Sequence, residues 1–278
     1  MPDTDARRSF AAPFSLNITE ALRSQLTAAM RRLHPAPLTI ENLAAVEARP
    51  GVYILLDEDG PTYIGKADKS LRSRLADHFR KLSGRTGNIL GRIKFQCLYI
   101  EEDIAAIAPE RMLIKGLAEV SALRWNNTGF GNNDPGKERD SSQVKHNHFD
   151  AQFPIDLTFR VALEPPADQP TIGDLMPELK RTMPFVFRYP KLDRETAALR
   201  VPREAFGVHT VEDAMQVLAR NLPENWKIIA LPGYVIAYPG VQPDAYPSRV
   251  GHWNAGADSS ALVAHNPEFA RPDFINPA

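Results

Sequence analysis

The chain has a single cysteine in 278 residues, Cys97, so no internal disulfide can form and a reducing cytoplasm is the expected setting. No apolar run approaches membrane-spanning length, and the opening Met-Pro-Asp-Thr-Asp-Ala lacks the basic-then-apolar order of a secretory signal. Net charge is also scarce: 33 Lys and Arg against 34 Asp and Glu leave −1 at pH 7, which for the whole chain argues against a polyanionic partner. No internal repeat is apparent. Hydrophobic residues at 43% and charged residues at 24% are ordinary for a globular protein, and the length is enough for two domains.

The distribution of charge says something different from its sum. Between Lys66 and Lys94 stand nine bases (Lys66, Lys69, Arg72, Arg74, Arg80, Lys81, Arg85, Arg92, Lys94) and two acids, Asp68 and Asp77. Such a local excess is what a phosphate backbone requires of the surface it lies on.

Immediately before it, Gly51 to Leu56 and Thr62 to Lys66 are β-prone and flank the turn formers Asp57-Glu58-Asp59-Gly60-Pro61, which predicts a hairpin. If Leu56 pairs with Thr62, opposed numbers sum to a constant even value, so Tyr53 and Tyr63 fall on one face together with Leu55 and Gly65. A glycine opposite Tyr53 is expected to leave space beside the phenol, as on a substrate-facing surface.

Ahead of the hairpin, Thr19 to Leu33 carries Leu22, Leu26, Met30 and Leu33 at helical spacing and is stopped by His34-Pro35-Ala36-Pro37. A shorter helical turn near Glu41 to Glu47 leads into the first strand, and this arm is expected to pack on the following domain or on a second copy. Behind the hairpin, Ser70 is a suitable N-cap for a helix to about Leu82 with a buried stripe of Leu71, Leu75, Phe79 and Leu82. Arg74 and His78, four apart, then lie on one flank of that stripe. A strand is expected at about Ile93 to Ile100, with Cys97 as a small core residue and Glu101-Glu102-Asp103 as a turn. Pro109 opens a further helix on which Glu110 stands at i before Leu113, Ile114 and Leu117, so its carboxylate turns inward with the apolar stripe. A carboxylate so placed needs a partner, and a hard divalent cation is a fitting one. Gly129-Phe130-Gly131-Asn132-Asn133-Asp134-Pro135-Gly136 cannot be a regular element and reads as a structured loop whose amides and asparagines suit phosphate or base-edge contacts.

The order Gly51-Val52-Tyr53, Tyr63-Ile64-Gly65, Arg74-Leu75-x-x-His78, an inward Glu110 and then Trp125-Asn126 resembles the GIY-YIG nuclease superfamily over about residues 51–150. The Gly129 to Gly136 loop further resembles its type II restriction endonuclease branch. The resemblance implies an α+β fold with a small antiparallel or mixed sheet flanked by helices. Around it, residues 1–50 are expected as a helical arm, 51–150 as the nuclease domain and 151–278 as an additional α+β region. It also implies roles. Tyr53, alone or with His78, would activate water; Tyr63 would orient the nucleophile or phosphate; Arg74 would stabilise charge on the phosphate. Glu110 would hold one Mg2+ or Mn2+ ion, and Asn126 would brace the site. A tyrosine base calls for positive charge that favours the phenolate, which Lys66, Arg74 and the metal could supply. DNA contacts are expected from Lys66, Lys69, Arg72, Arg80, Lys81, Arg85, Asn132 and Asn133. The interval from Glu110 to Asn126 leaves Asn127 as an alternative asparagine and Glu119 as a weaker alternative ligand. His146-Asn147-His148 is a chance string and not the mark of an HNH nuclease.

Beyond residue 150 the sequence shows no readable chemistry, with twelve bases to fifteen acids. A strand at Leu157 to Leu163, a helix at Val211 to Leu222 behind Thr210 and a hairpin at Trp226 to Tyr238 are expected, with a tail after Gln242 that wraps the body or stays mobile. This region is left to bind a protein, support dimerisation or supply target-reading loops. The expected activity is endonucleolytic cleavage of DNA in restriction or phage defence, with double-stranded DNA as substrate and a two-fold dimer as the natural reader of a palindrome. The alternatives are a nuclease for single-stranded or branched repair DNA and a binding module that no longer cuts.

Overall fold

The structure is a computed structural model that describes residues 18–100, 109–118, 123–131, 136–165, 169–256 and 261–267. Asn132, Asn133, Glu119 and the Glu101-Glu102-Asp103 turn lie outside those residues. Helix α1 (Ile18–Arg31) is followed by a two-residue strand, β1 (Ala36–Pro37), and by α2 (Ile40–Ala44), whose N-cap Thr39 accepts a hydrogen bond from the Asn42 amide. Strands β2 (Gly51–Asp57) and β3 (Gly60–Ala67) form the expected hairpin. Helix α3 (Leu71–Ser83) starts at Ser70, whose hydroxyl accepts from the Ser73 amide. Strand β4 (Lys94–Tyr99) and helix α4 (Pro109–Ala118) complete this part. The four strands make an antiparallel sheet in the order β1-β4-β2-β3.

The hairpin register decides where the tyrosines go. Tyr53 stands opposite Gly65 and Leu55 opposite Tyr63, so both phenols project from one face. The expected Leu56–Thr62 pair is not made. A bulge between Leu55 and Leu56 moves Leu56 onto Pro61, a residue without an amide that β3, as an edge strand, tolerates. The bulge falls after the tyrosine pairs and leaves their shared face intact.

The sheet is covered on both sides. Val52, Ile54 and Ile64 pack against Leu26 and Met30 of α1 and against Met112 and Leu113 of α4, so the N-terminal helix docks on its own sheet. The opposite face, with Tyr53, Leu55 and Tyr63, packs against Leu71, Leu75 and Leu82 of α3 and against Trp125, Phe130 and Phe149.

The rest of the chain builds a second core. Its elements are α5 (Phe149–Gln152), β5 (Arg160–Leu163), α6 (Ile172–Thr182), β6 (Val186–Arg188), α7 (Arg194–Ala198), β7 (Gly207–Thr210), α8 (Val211–Asn221), β8 (Trp226–Ala230), β9 (Tyr234–Pro239), β10 (Gly251–Asn254) and β11 (Val263–Ala264). Five strands in the order β11-β10-β8-β9-β6 form a sheet in which only the β6–β9 pair is parallel, and β5 pairs separately with β7. Leu175, Met176 and Leu179 of α6 and Met215 and Leu218 of α8 pack on Ile228, Val235 and Trp253. The expected 157–163 strand begins only at Arg160, because Asp156 draws Thr158 into a turn, its carboxylate accepting from the Thr158 amide at 2.9 Å. Beyond Gln242, the described residues join the sheet as β10 and β11.

Candidate active site

Tyr53 has no exposed surface, and its hydroxyl lies 2.6 Å from Nε2 of His78. Burial is the main force on both groups. It raises the Tyr53 phenol well above its ordinary value, further raised by Tyr63 and only partly offset by Arg74. It pushes His78 well below the ordinary histidine value, reinforced by the charges of Arg74 and Lys81. Tyr53 is therefore a phenol donating to a neutral imidazole, and the remaining ring hydrogen of His78 sits on Nδ1. For the residues alone, desolvation of the charged form outweighs the nearby arginine and disfavours the phenolate.

His78 is not on the flank of the α3 stripe. It is 3% exposed and sits in the stripe with Leu71, Leu75 and Leu82, while Phe79 is only partly buried. The reason is the set of rings around it: Phe130 stacks on the imidazole at 4.7 Å and 15°, with Tyr53 at 5.4 Å and Tyr63 at 5.6 Å. Gly65 has a corresponding role. A Cβ there would come within 2.3 Å of the Tyr53 hydroxyl, so the space beside the phenol is filled by the phenol itself and is not an open surface.

Arg74, half-buried one turn before His78, donates through Nε to the Tyr53 oxygen at 3.3 Å and through Nη2 to the Gly131 carbonyl at 3.1 Å. Gly131 is a site residue that the motif order does not mark. A Cβ on it would sit 2.1 Å from the Tyr63 hydroxyl, so the loop backbone reaches Tyr63 only because the residue is glycine. The signal was an aromatic residue between two glycines: Phe130 is the buried anchor, and its flanking glycine lies against the tyrosine.

Asn126 binds the outer edge of β3 at both backbone groups of one residue, Ile64. Its Oδ1 accepts from the Ile64 amide and its Nδ2 donates to the Ile64 carbonyl, each at 3.0 Å. Asn127 is exposed and adopts φ 68°.

Glu110 is half-buried at the margin of the α4 stripe, whose buried members are Met112 and Leu113, with Ile114 partly buried beside them. Burial raises its carboxyl, and the charges of Lys66 and Arg74 oppose the shift. Its charge in turn acts on Tyr63 and Lys66, raising both. Among the described residues no group of three or more His, Cys, Asp and Glu side chains could enclose a metal ion. A single half-buried carboxylate is compatible with Mg2+, which keeps several waters in its shell, and Glu110 is the residue that would hold it.

The expected DNA contacts divide. Lys66, Lys69 and Arg72 are exposed near the start of α3, Lys66 paired with Asp68 at 2.9 Å and Arg72 donating to the Val46 carbonyl. Arg80, Lys81 and Arg85 are instead drawn into packing. Arg80 donates to the carbonyls of Arg181 and Met183. Lys81 donates to the Phe130 carbonyl at 2.7 Å, and burial lowers its ammonium to about 8. Arg85, 4% exposed, donates to the carbonyls of Phe153 and Pro232 and pairs with Asp150 at 2.9 Å. All three are surface-like by composition, but Lys81 is partly and Arg85 almost wholly covered, while Arg80 stays exposed beside the carbonyls it binds.

A small antiparallel sheet flanked by helices is consistent with a GIY-YIG domain. Residues 49–119 match the family described as the UvrC-like GIY-YIG domain, which supports a nuclease here. Among individual proteins, the chain is 42% identical over 77 residues to UvrABC system protein C of Pseudomonas fluorescens. It is 42% identical over 76 residues to that of Pseudomonas putida, and 39% identical over 77 to that of Pseudomonas syringae pv. tomato. Each match covers 26% of this chain and 12% of the relative. The likeness thus stops at the domain and leaves the second core unmatched by these relatives.

Proposed function

We propose that the protein is a metal-dependent DNA endonuclease that hydrolyses phosphodiester bonds at the Tyr53–His78–Arg74–Glu110 site. The observation that carries this reading is the 2.6 Å contact between the Tyr53 hydroxyl and a neutral, buried His78. It supplies a proton path without a standing phenolate. As water attacks phosphorus, its proton passes to the Tyr53 oxygen while the phenol's own proton moves to Nε2 of His78. Arg74 neutralises charge building on the phosphate, Tyr63 orients the attacking water or a phosphate oxygen, and Asn126 fixes the strand that carries Tyr63. Glu110 would hold Mg2+ or Mn2+, which when bound supplies positive charge at the leaving oxygen.

The finer role has two supports that point differently. The Gly129-Phe130-Gly131 turn favours a restriction or phage-defence enzyme that cuts intact duplex, a task suited to a homodimer. The likeness to UvrABC system protein C favours a nuclease that works on altered or branched DNA with protein partners, a natural use for residues 151–278. Plasmid, methylated plasmid and single-stranded DNA incubated with Mg2+ separate them. Glu110→Ala should lower cleavage at least 1,000-fold, on the order of the several kcal/mol that a metal ion contributes. Retained cleavage in that variant would remove the metal assignment.

A further inference from the structure

A second cavity lies on the far side of Lys81 from His78. It measures about 950 Å³ and is bounded by α3 and residues 139–148 on one side and by Lys180 and residues 184–187 on the other. Six bases line it, Arg80, Lys81, Arg85, Arg139, Lys145 and Lys180, against two acids, Asp77 and Asp150. Asp150 is already committed to Arg85. Arg139 and Lys145 are exposed and form no ion pair among the described residues, and Lys180 reaches only the ring of Tyr189. Three exposed cations without an ion pair among the described residues, lining one concave surface, give it a positive potential that favours an anion.

The cavity is joined to the cutting site. Arg74, His78 and Lys81 stand at i, i+4 and i+7 on α3, which puts them along one face, and Arg85 follows just beyond its end. The Lys81 ammonium lies 5.1 Å from the centre of the Phe130 ring, and His78 stacks on the same ring. One aromatic ring therefore separates the two chambers. The size of the cavity is that of a small-ligand site, about 300–1,000 Å³, enough for one or two nucleotides and far short of a duplex. Its apolar wall, Pro184 to Val186, offers a surface for sugar or base beside the cations.

We propose that this cavity takes an unpaired stretch of the nucleic acid that the adjacent site cuts, its phosphates on Arg139, Lys145 and Lys180, so that the substrate class is DNA with a single-stranded segment next to the cut. This rests on the nuclease reading above. The test is binding by fluorescence anisotropy, in EDTA and with Glu110→Gln protein so that cutting plays no part. The probes are a blunt duplex, the same duplex with a five-nucleotide single-stranded flap, and the flap strand alone. The wild-type cavity should favour the flapped duplex over the blunt one by tenfold or more. The combined variant Arg139→Gln, Lys145→Gln and Lys180→Gln should lose that preference, with a salt dependence shallower by about two units of log–log slope, as three lost single-strand phosphate contacts require. Arg194→Gln, an exposed arginine outside the cavity, controls for net charge and should bind as wild type. Equal binding of blunt and flapped duplex, or a preference that survives the triple variant, overturns the proposal. Mg2+-dependent cleavage without cavity-dependent binding would leave the nuclease reading standing alone, and absence of cleavage of every probe by wild-type protein with Mg2+ would overturn both.

Discussion

His78 is neutral because it is enclosed by rings and flanked by two cations, and this has a consequence for acid stability. Its folded pKa lies below the ordinary value of about 6.5, so between those values the unfolded chain binds the extra proton. The stability it contributes is present above about pH 6.5 and is lost as pH falls towards the folded value, at up to about 1.4 kcal/mol per pH unit. His148 and His252 are shifted the same way by burial and add to the trend. Urea titrations at intervals from pH 7.5 to 5 should show wild-type stability falling below pH 6.5, and His78→Gln should flatten that fall. Parallel profiles would mean that His78 does not titrate in this range. Gly131 yields a cleaner separation of fold from function. Gly131→Ala places a methyl 2.1 Å from the Tyr63 hydroxyl and must move one or the other. Cleavage should drop at least tenfold while the thermal midpoint changes by no more than a few degrees; an unchanged rate would show that the Tyr63 position is immaterial. At this scale the shared face of the tyrosines was legible, since side-chain parity in a strand follows from numbering. The burial of His78 was not, because Phe79 and His78 both satisfy helical spacing and the choice is made by Phe130, fifty residues later.

Among the elements, β3 shows how an edge strand is closed by a side chain. The Asn126 carboxamide takes both hydrogen-bonding groups of Ile64, and the Trp125 amide donates to the Thr62 carbonyl at 3.0 Å, so residues 125–126 continue the sheet where no further strand lies. Asn126→Ala leaves a buried amide and carbonyl without partners, at a cost of about 2–4 kcal/mol. Asn126→Asp should do little better, since a carboxylate can accept from the Ile64 amide but meets its carbonyl with like charge. Both variants should show lowered unfolding midpoints and a reduced kcat, as Tyr63 adjoins the released peptide; wild-type stability in Asn126→Ala would refute the bracing role. The hairpin, α3 and its Ser70 cap, and α8 behind Thr210 all follow from local signals that tertiary contacts reinforce. Helix α6 was obscured by Pro177 in its interior, although its start carries a capping box in which Thr171 and Asp174 bond reciprocally. Strand β6 has only three residues and pairs in parallel with β9, a contact that no local pattern announces.

For the molecule as a whole, Arg85 ties the two cores together. From the end of α3 it donates to Phe153 and Pro232 and is held by Asp150, while Arg80 one turn earlier grips the carbonyls of Arg181 and Met183. Composition alone made these residues part of a basic surface, because a sequence does not say which face of a helix a distant segment will cover. Removing Arg85 leaves a buried carboxylate and two carbonyls without their partner, and breaking such a pair costs about 3–5 kcal/mol. Arg85→Met should therefore lower stability by about that amount, and Arg85→Met with Asp150→Leu should recover part of it, since the stranded charge is then removed too. The effect should also change cooperativity. Trp125 reports on the first core and Trp226 and Trp253 on the second, so tryptophan substitutions to phenylalanine allow each to be followed alone during urea unfolding. With Arg85 present the two signals should move together. In Arg85→Met they should separate, and a single coincident transition with less than about 1 kcal/mol of loss would show that the cores are coupled through other contacts.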